Sequence, residues 1–266
     1  MNKSSLELEK ICNETVALAI ESGKFILQEA AHFDLTRIEH KGTNDLVSYV
    51  DKETEKKLVA GLSQILPEAG FITEEGTIEQ TDKKLRWVID PLDGTTNFLH
   101  GLPTYSISIA LLDGEEILLG VVYEMNLKEC FYAWKDGGAY CNGKRIKASG
   151  IHTLKESLVA TGFPYSLLGR QDAYFEILKN MTMESHGLRR LGSAAIDLAY
   201  VACGRFEGYF EFNLHIWDIA AGILLVKESG GVVTDFSGGD QYLYGQELLA
   251  AGAAHAEIKE VILRHW

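Results

Sequence analysis

An apolar strand that runs directly into two carboxylates constrains this chain more than any other feature. The run Trp87-Val-Ile-Asp-Pro-Leu-Asp-Gly-Thr-Thr-Asn-Phe98 places Asp90 and Asp93 three residues apart around Pro91. Pro91 fixes its own φ and pushes Asp90 towards an extended conformation, which predicts a turn where the strand ends. Both carboxylates and the Leu92 carbonyl then point into one small volume, and an oxygen cluster of this kind suits Mg²⁺.

The residues that follow the second carboxylate favour an anion nearby. Gly94 lets the backbone approach a ligand closely, and the amides of Gly94 and Thr95 are predicted to face an anion as a short helix begins. The simpler alternative is a strand followed by an Asp-Gly turn. A plain turn needs neither the second Asp nor the pair of hydroxyl residues, so the ligand-binding interpretation is preferred.

Length and composition place the chain among soluble folded proteins. Its 266 residues allow one large domain or two ordinary ones. No apolar stretch reaches the ~20 residues that span a bilayer, and the N-terminus is too polar for a secretory signal. Cys12, Cys130, Cys141 and Cys203 form no C-x-x-C pair, so neither a zinc site nor a disulfide framework is indicated. We expect reduced thiols in a cytoplasmic protein with no membrane contact.

Periodicity predicts an α+β half followed by an α/β half, divided into residues 1–145 and 146–266. The Gly-rich stretch 136–150 is the predicted seam. Helices are predicted over residues 4–32, 50–66, 172–180, 193–203, 217–228 and 257–265. Strands are predicted over residues 71–74, 85–90, 105–112, 117–123, 129–133, 158–161, 206–212, 232–235 and 248–251.

Four sequence blocks carry a family resemblance. The block from Asp90 to Phe98 resembles the signature of the inositol monophosphatase family of Mg²⁺-dependent phosphomonoesterases. Three further blocks agree with family segments in type, order and spacing, namely Asp45–Asp51, Phe71–Glu75 and Trp217–Gly222. The resemblance implies a layered α-β-α-β-α sandwich of the sugar phosphatase type, a homodimer and inhibition by lithium.

The resemblance also implies a set of metal ligands for two or three Mg²⁺ ions. Asp90 would bridge two cations. Glu74 and the Leu92 carbonyl would be further ligands of the first cation, and Asp93 and Asp218 would be further ligands of the second. Two of these acids have ordinary alternatives. Glu74 could simply belong to a solvated acidic turn. Asp218 could lie in the first turn of a helix, where the helix dipole favours an acid without any bound metal. Most of the ligands fall in the N-terminal half, and Asp218 is the last of them.

The catalytic residues implied by the family are Glu74, Thr95 and Asp45. In the family, an acid at the position of Asp45 and a threonine at that of Thr95 form a pair that acts on the attacking water. A capping role near a helix start is the alternative for Asp45. Asp51 is interpreted as structural, because an acid early in a helix needs no further explanation.

Substrate contacts are expected mainly from the C-terminal half. The segment Arg189–Ala195 resembles a family segment whose small residues, here Gly192, Ser193 and Ala194, let a polyol ring approach. Glu211 lies where the family has a carboxylate that binds sugar-like hydroxyls, although a Glu at a strand end is commonly a surface residue. The remaining expected substrate contacts are Asp93, Gly94, Thr95 and Asp218. His215 is left out of the catalytic set.

The net charge of −13 excludes a basic nucleic-acid surface and requires cations if the substrate is a phosphate ester. The predicted activity is Mg²⁺-dependent hydrolysis of a small phosphorylated polyol, myo-inositol 1-phosphate foremost, by direct attack of water. The enzymatic alternatives are a 3′(2′),5′-bisphosphate nucleotidase, a fructose-1,6-bisphosphatase or another small polyol phosphatase. A protein whose main role is to bind a partner is the alternative from another class.

Overall fold

The fold is a stack of five layers, in the order helix, sheet, helix, sheet, helix. The computed structural model describes residues 4–32, 38–42, 45–81, 83–163 and 169–266, and the side chains of residues 38–42 and 45–47 lie outside this description. Three buried apolar clusters fill the spaces between successive layers. The predicted α-β-α-β-α sandwich is therefore confirmed.

The first layer consists of two amphipathic helices, α1 (Ser5–Ala30) and α2 (Tyr49–Ile65). Each begins at a capping box, in which Ser4 pairs with Glu7 and Ser48 with Asp51. Their apolar faces bury residues such as Leu8, Ile26, Leu58 and Leu62 against the first sheet. Burial of these faces supplies most of the stability of the two helices, because propensity alone is weak.

The first sheet has seven strands among the described residues. They are β3 (Gly70–Thr73), β4 (Leu85–Asp93), β5 (Ser106–Asp113), β6 (Glu116–Glu124), β7 (Glu129–Trp134), β8 (Gly138–Cys141) and β9 (Lys144–Arg145). The strands lie side by side in this sequential order, with β3 and β4 parallel and every later pair of neighbours antiparallel.

The central layer is a pair of helices, α5 (Ala194–Ala202) and α6 (Ile216–Glu228), which are buried along most of their length. Both helices contact strands of the first sheet, and both contact β14 (Glu247–Ala251) of the second. A helix that is apolar on all sides is expected where sheets cover both of its faces. These helices carry residues of the C-terminal half directly against the N-terminal sheet.

The second sheet and its outer helices are formed by the remaining elements of this half. They are β10 (Leu158–Thr161), α4 (Gln171–Glu184), β11 (Gly187–Arg189), β12 (Gly208–Phe212), β13 (Val232–Thr234) and α7 (His255–Leu263). With β14, the sheet has five strands among the described residues, in the order β11-β10-β12-β14-β13, and helices α4 and α7 cover its outer face. The sheet is mixed, since β10 is parallel to β11 and β12 while β14 is antiparallel to both of its neighbours.

Three features differ from the expectations. The stretch 136–150 contains β8 and β9 of the first sheet, because its glycines and asparagine form tight hairpins with positive φ. A hairpin of β1 (Ile38–Gly42) and β2 (Asp45–Ser48) was not predicted, and neither was β11. The division of the chain at residue 145 stays a prediction. No helix in the described part of the chain is long and apolar enough to span a membrane.

Candidate active site

A register irregularity in β4 brings the two signature carboxylates to the same side of the sheet. Asp90 pairs with Ser108 and Asp93 with Ser106, so three steps along β4 correspond to two along β5. Side chains alternate along a strand, so residues three apart would normally point to opposite faces. The extra residue cancels this alternation, and Pro91 is tolerated in such a bulge because it donates no ladder hydrogen bond. The turn expected after Asp90 is thus a bulge within a strand that continues to Asp93.

The irregularity opens into a cavity of about 300 Å³ between the first sheet and the central helices. This volume is at the lower end of the range for small-molecule sites. Three of the four sequence blocks that carry the family resemblance contribute lining residues to the cavity. None of the described residues of the fourth block, Asp45–Asp51, lines it. The expected site residues that line it are Glu74, Asp90, Leu92, Asp93, Gly94, Thr95, Gly192, Ser193, Ala194, Glu211 and Asp218.

The short helix α3 (Thr95–Leu99) begins at the cavity, as the sequence predicted. Gly94 is its N-cap, with φ +94°, a value that residues other than glycine rarely adopt. A Cβ at this position would lie 2.9 Å from the Thr104 carbonyl oxygen and 3.2 Å from that of Gly192. Glycine is therefore required here both by its conformation and by the close approach of two backbone segments.

The Thr95 hydroxyl is held by Asp51. It lies 3.0 Å from Asp51 Oδ1 and 3.0 Å from the Leu92 carbonyl oxygen. Asp51 is 1% exposed, and its Oδ2 also accepts from the backbone N–H and the hydroxyl of Ser48. The structural role expected of Asp51 is confirmed by its place in the capping box of α2, and Asp51 also contacts the cavity residue Thr95. The side chain of Asp45 lies outside the described residues, so its expected pairing with Thr95 stays a prediction.

Asp93 joins the two halves of the chain. Its Oδ2 accepts from the Ser193 hydroxyl at 2.5 Å and from the Ala195 N–H at 2.8 Å, both at the start of α5. Asn97 strengthens the same junction, because its amide donates to the carbonyl oxygens of Thr104 at 2.7 Å and Leu191 at 2.8 Å. The glycine-rich segment before α5 is thereby fixed against the signature segment.

The cavity is also lined by Glu211 of β12. The Glu211 carboxylate accepts from the Tyr209 hydroxyl at 2.5 Å. Gly162 of the neighbouring strand end leaves room for it, since a Cβ there would lie 1.9 Å from Glu211 Oε2. Asn213 follows with φ +63°, a conformation that asparagine tolerates better than most residues. Glu211 therefore faces the cavity, and the surface alternative for it is wrong.

The remaining expected acids approach from two other elements. Glu74 follows β3, and its N–H donates to the Ile89 carbonyl oxygen at 3.3 Å. Asp218 lies in the first turn of α6, where its Oδ2 accepts from the His215 N–H at 2.7 Å. His215 lines the cavity and stacks on Trp217, with ring centroids 4.6 Å apart.

Burial and mutual repulsion raise the pKa values of these acids. Burial raises the pKa of Asp90 well above its usual range, and the charges of Glu74, Asp93 and Asp218 raise it further. Burial also raises the pKa of Asp218, together with the charges of Glu74 and Asp93. The pKa of Asp93 is raised to about 6 by burial, although the hydrogen bonds from Ser193 and Ala195 oppose this effect.

The donor set fits a hard divalent cation. Among the described residues, no three His, Cys, Asp or Glu side chains are gathered as a ready-made metal cluster. The chemistry of the cavity nevertheless matches such a cation, because four carboxylates and the residue Leu92 share its lining, and the charges of the other three acids raise the pKa of Asp90. Arg190 is the only Lys or Arg among the described lining residues.

Sequence reasoning missed three contributors to the site. They are Asp51 at Thr95, Asn97 at the junction of the two halves, and the buried acid Asp197, which also lines the cavity. Asp51 lies in the block Asp45–Asp51 and Asn97 in the block Asp90–Phe98, and these positions were the sequence signal that could have identified both residues. Asp197 follows the small-residue segment by two positions, and an apolar helix around it is the only hint of its burial.

The layered fold and its oxygen-lined cavity define the chain as a phosphatase of the sugar phosphatase type. The sequence profile of the inositol monophosphatase family matches residues 7–266. This protein therefore belongs to the inositol monophosphatase family.

Similar proteins agree with this assignment. An inositol-1-monophosphatase of Mesorhizobium japonicum is 39% identical over 241 residues, which cover 90% of this chain and 91% of the relative. The Nus factor SuhB of Escherichia coli K12 is 40% identical over 244 residues, or 91% of each chain. The crystal structure of the extragenic suppressor protein suhB from Bartonella henselae is 38% identical, with a TM-score of 0.88, and covers 94% of this chain and 97% of that one.

Proposed function

We propose that this protein hydrolyses myo-inositol 1-phosphate to inositol and phosphate in a Mg²⁺-dependent reaction, by direct attack of water. One observation carries the proposal: the oxygens expected to bind cations and the Glu211 carboxylate of the second sheet line a single cavity. A phosphorylated polyol has the two matching parts, a phosphate ester and several hydroxyl groups.

Glu74, Asp90, Asp93, Asp218 and the Leu92 carbonyl would hold two or three Mg²⁺ ions. When bound, these cations would polarise the phosphoryl oxygens and lower the pKa of a water molecule. The acids come from the segment after β3, from β4 and from α6, so the cation site forms only when both halves are folded. The family resemblance further supports inhibition by lithium at one of these positions.

Thr95 and Asp51 are proposed to orient the attacking water. The Thr95 hydroxyl hydrogen points to an acceptor, either Asp51 Oδ1 or the Leu92 carbonyl, which leaves the hydroxyl oxygen free to accept from a water molecule. Asp51 is fixed by Ser48 at the start of α2, so this acceptor is rigid. Glu74, which lines the same cavity, and Asp45 are the other proposed catalytic residues, as the family resemblance implied.

No covalent enzyme intermediate is proposed. Burial raises the pKa values of the Cys12 and Cys130 thiols, so neither is a thiolate at neutral pH. The sequence shows no Ser-His-Asp or Cys-His arrangement, and the only histidine among the described lining residues is His215. Direct attack by water is therefore the simplest route.

The substrate is proposed to lie between the start of α3 and the start of α5. Its phosphate would lie against Asp93, Gly94, Thr95 and Asp218, and its ring against Gly192, Ser193 and Ala194. Glu211 would then accept hydrogen bonds from ring hydroxyls. Burial is the main cause that raises the pKa of Glu211 to about 7, and the hydrogen bond from Tyr209 opposes this shift. A hydroxyl donor from the substrate would favour the ionised form in the same way.

Two other roles are weighed against this one. A bisphosphatase or nucleotidase activity needs a binding group for a second phosphate, and Arg190 is the only Lys or Arg in the described cavity lining. A partner-binding role is consistent with the name Nus factor, which the Escherichia coli relative carries. The four expected metal-binding acids are all present in the cavity lining, which favours a catalytic role over a partner-binding role for this chain. We further propose a homodimer, as the family resemblance implied.

A substrate panel tests the proposal. Phosphate release is measured with Mg²⁺ for inositol 1-phosphate, fructose 1,6-bisphosphate, 3′-phosphoadenosine 5′-phosphate and histidinol phosphate. We expect the highest kcat/KM for inositol 1-phosphate. A higher kcat/KM for a bisphosphate would reassign the substrate, and turnover of none of these esters would contradict the proposed function.

A further inference from the structure

The buried carboxyl group of Asp197 has no role in the chemistry described so far. It lies in the first turn of α5, lines the cavity, and is 1% exposed. Its Oδ1 atom has no hydrogen-bond partner among the described residues. A buried carboxyl oxygen without a partner is costly, because it has lost its hydrogen bonds to water and has gained none in the protein.

The surroundings of Asp197 increase that cost. Burial raises the pKa of Asp197 well above its usual range, and the charges of Glu211 and Asp93 raise it further, while Arg190 opposes them. Asp197 therefore lies within electrostatic reach of Asp93, a proposed metal ligand, and of Glu211, the proposed hydroxyl-binding carboxylate.

A purely structural role does not account for this arrangement. An acid in a first turn interacts favourably with the helix dipole. That interaction does not require a fully buried position beside two other acids, and Ser193 already caps α5 by accepting from the Ile196 N–H. A group in the cavity that hydrogen-bonds Asp197 would remove the penalty.

We propose that Asp197 is a second hydroxyl-recognition residue, which hydrogen-bonds one hydroxyl of the bound polyol while Glu211 binds another. The inference rests on the proposed function and deepens it. The preferred substrates carry at least two free hydroxyls besides the phosphate ester, and a phosphate ester with a single hydroxyl uses only part of the site.

The test compares Asp197→Ala and Asp197→Asn with the wild-type protein on two substrates, inositol 1-phosphate and p-nitrophenyl phosphate. We expect Asp197→Ala to lower kcat/KM for inositol 1-phosphate about tenfold or more, and to change that for the aryl ester less than about twofold. Asp197→Asn keeps the shape and one acceptor, so we expect a smaller loss, about threefold or more, again confined to the polyol.

Two reference variants calibrate the comparison. Glu211→Gln should show the same polyol-specific loss, because it removes the other hydroxyl-binding carboxylate. Glu207→Gln removes a carboxylate that is 6% exposed and accepts from the Leu158 N–H, but does not line the cavity. We expect Glu207→Gln to leave the ratio of the two substrates unchanged, even where it lowers stability.

Monodeoxy inositol phosphates identify the hydroxyl. One analogue should react more slowly than inositol 1-phosphate in the wild-type protein and lose no further rate in Asp197→Ala. Equal losses on both substrates, or an unchanged substrate ratio in both Asp197 variants, overturn the inference. If the wild-type protein shows no preference for polyol phosphates over the aryl ester, the proposed function fails instead, so the two failures are distinguishable.

Discussion

Single acids of the cavity combine favourable hydrogen bonds with an unfavourable burial of charge. Asp93 is the clearest case, because it accepts two good hydrogen bonds, from Ser193 and Ala195, and is still buried among other acids. The hydrogen bonds favour its ionised form, while burial disfavours it, and burial has the larger effect on its pKa. Residues with such opposed demands are typical of functional sites.

Asp93→Asn should abolish most activity and keep the fold. We expect a loss of at least about a hundredfold in kcat/KM, since a metal-binding carboxylate is removed. Both donors point to Oδ2, so an amide oxygen can accept the same two hydrogen bonds. The melting temperature in EDTA should stay level or rise, because repulsion among the acids falls. It is measured by thermal unfolding beside the activity assay.

Asp235→Asn is the matched control for that substitution. Burial tends to raise the pKa of Asp235, but hydrogen bonds from Ser237, Gly239 and Gln241 outweigh it, and the pKa is lowered. Its ionised form therefore stabilises the fold. Asp235→Asn should lower the melting temperature and spare activity, the reverse of Asp93→Asn. A drop in melting temperature for Asp93→Asn would show that Asp93 serves structure.

Asp51 should affect the turnover rate through its contact with the Thr95 hydroxyl. Asp51→Asn is expected to lower kcat by about a hundredfold with little change in KM, since a group that orients the attacking water acts in the transition state. Thr95→Ser retains the hydroxyl and should keep most activity, whereas Thr95→Val should not. Steady-state kinetics of the three variants tests this role, and an unchanged kcat in Asp51→Asn would refute it.

At the scale of elements, the loop after β3 is fixed by helix α2. Glu55 of α2 is fully buried, and its carboxylate accepts from the Glu75 N–H, the Thr77 N–H and the Thr77 hydroxyl, each at 2.7 Å. This loop begins with Glu74, so Glu55 is a positioning residue for one of the proposed metal ligands. Helix α2 thus holds two parts of the site, through Asp51 and Glu55.

Glu55→Gln should weaken Mg²⁺ binding and stability together. A glutamine offers one acceptor oxygen and turns an N–H group towards donors, so we expect a loss of about 1.5–3 kcal/mol of stability. The Mg²⁺ concentration for half-maximal activity should rise about tenfold. Calorimetric titration with Mg²⁺ gives the affinity without turnover. Glu53→Gln, in the same helix but paired with Lys56 at the surface, should change neither quantity.

Elements with strong periodicity were predictable, and elements defined by long-range pairing were not. The helices α1 and α2 and the strands β5, β6 and β7 follow from their apolar patterns, within a few residues at each end. The short strands β8, β9 and β11 carry too few residues for a pattern and exist through their partners. The bulge at Pro91 depends on the register of β5, which local sequence does not reveal.

The candidate site shows the same division. Eleven of the twelve expected site residues line one cavity, because short sequence segments carry nearly all of them, and Asp45 lies outside the residues whose side chains are described. Their individual roles stay predictions. The contact between Asp51 and Thr95, 44 positions apart, and the burial of Asp197 arise from packing between layers, so no local pattern announces them.

On the scale of the whole molecule, the cavity concentrates acids in a protein that already carries a net charge of −13. The five lining acids with raised pKa values are Asp90, Asp93, Asp197, Glu211 and Asp218. Divalent cations that bind only the folded arrangement should stabilise the protein by mass action.

Stability without cations should fall as pH rises from about 5 to about 8. The native pKa values are about 6 for Asp93 and about 7 for Glu211, above the values near 4 of unfolded chains, so the native state binds more protons in this window. The melting temperature in EDTA should therefore drop by at least about 5 °C between these pH values. Adding Mg²⁺ should restore more of it at pH 8 than at pH 5. A melting temperature in EDTA that rises with pH across this window would contradict the electrostatic account of the cavity.

The most direct test of the central claim is phosphate release from inositol 1-phosphate by the wild-type protein in Mg²⁺, in EDTA and in Ca²⁺. The site consists of carboxylates and a carbonyl oxygen, and Ca²⁺ takes more ligands in a looser geometry than Mg²⁺, so it should misplace the attacking water. We expect turnover in Mg²⁺, none in EDTA until Mg²⁺ is returned, and almost none in Ca²⁺. Full turnover in EDTA, or equal turnover with Ca²⁺, would contradict a mechanism in which these acids act through bound Mg²⁺.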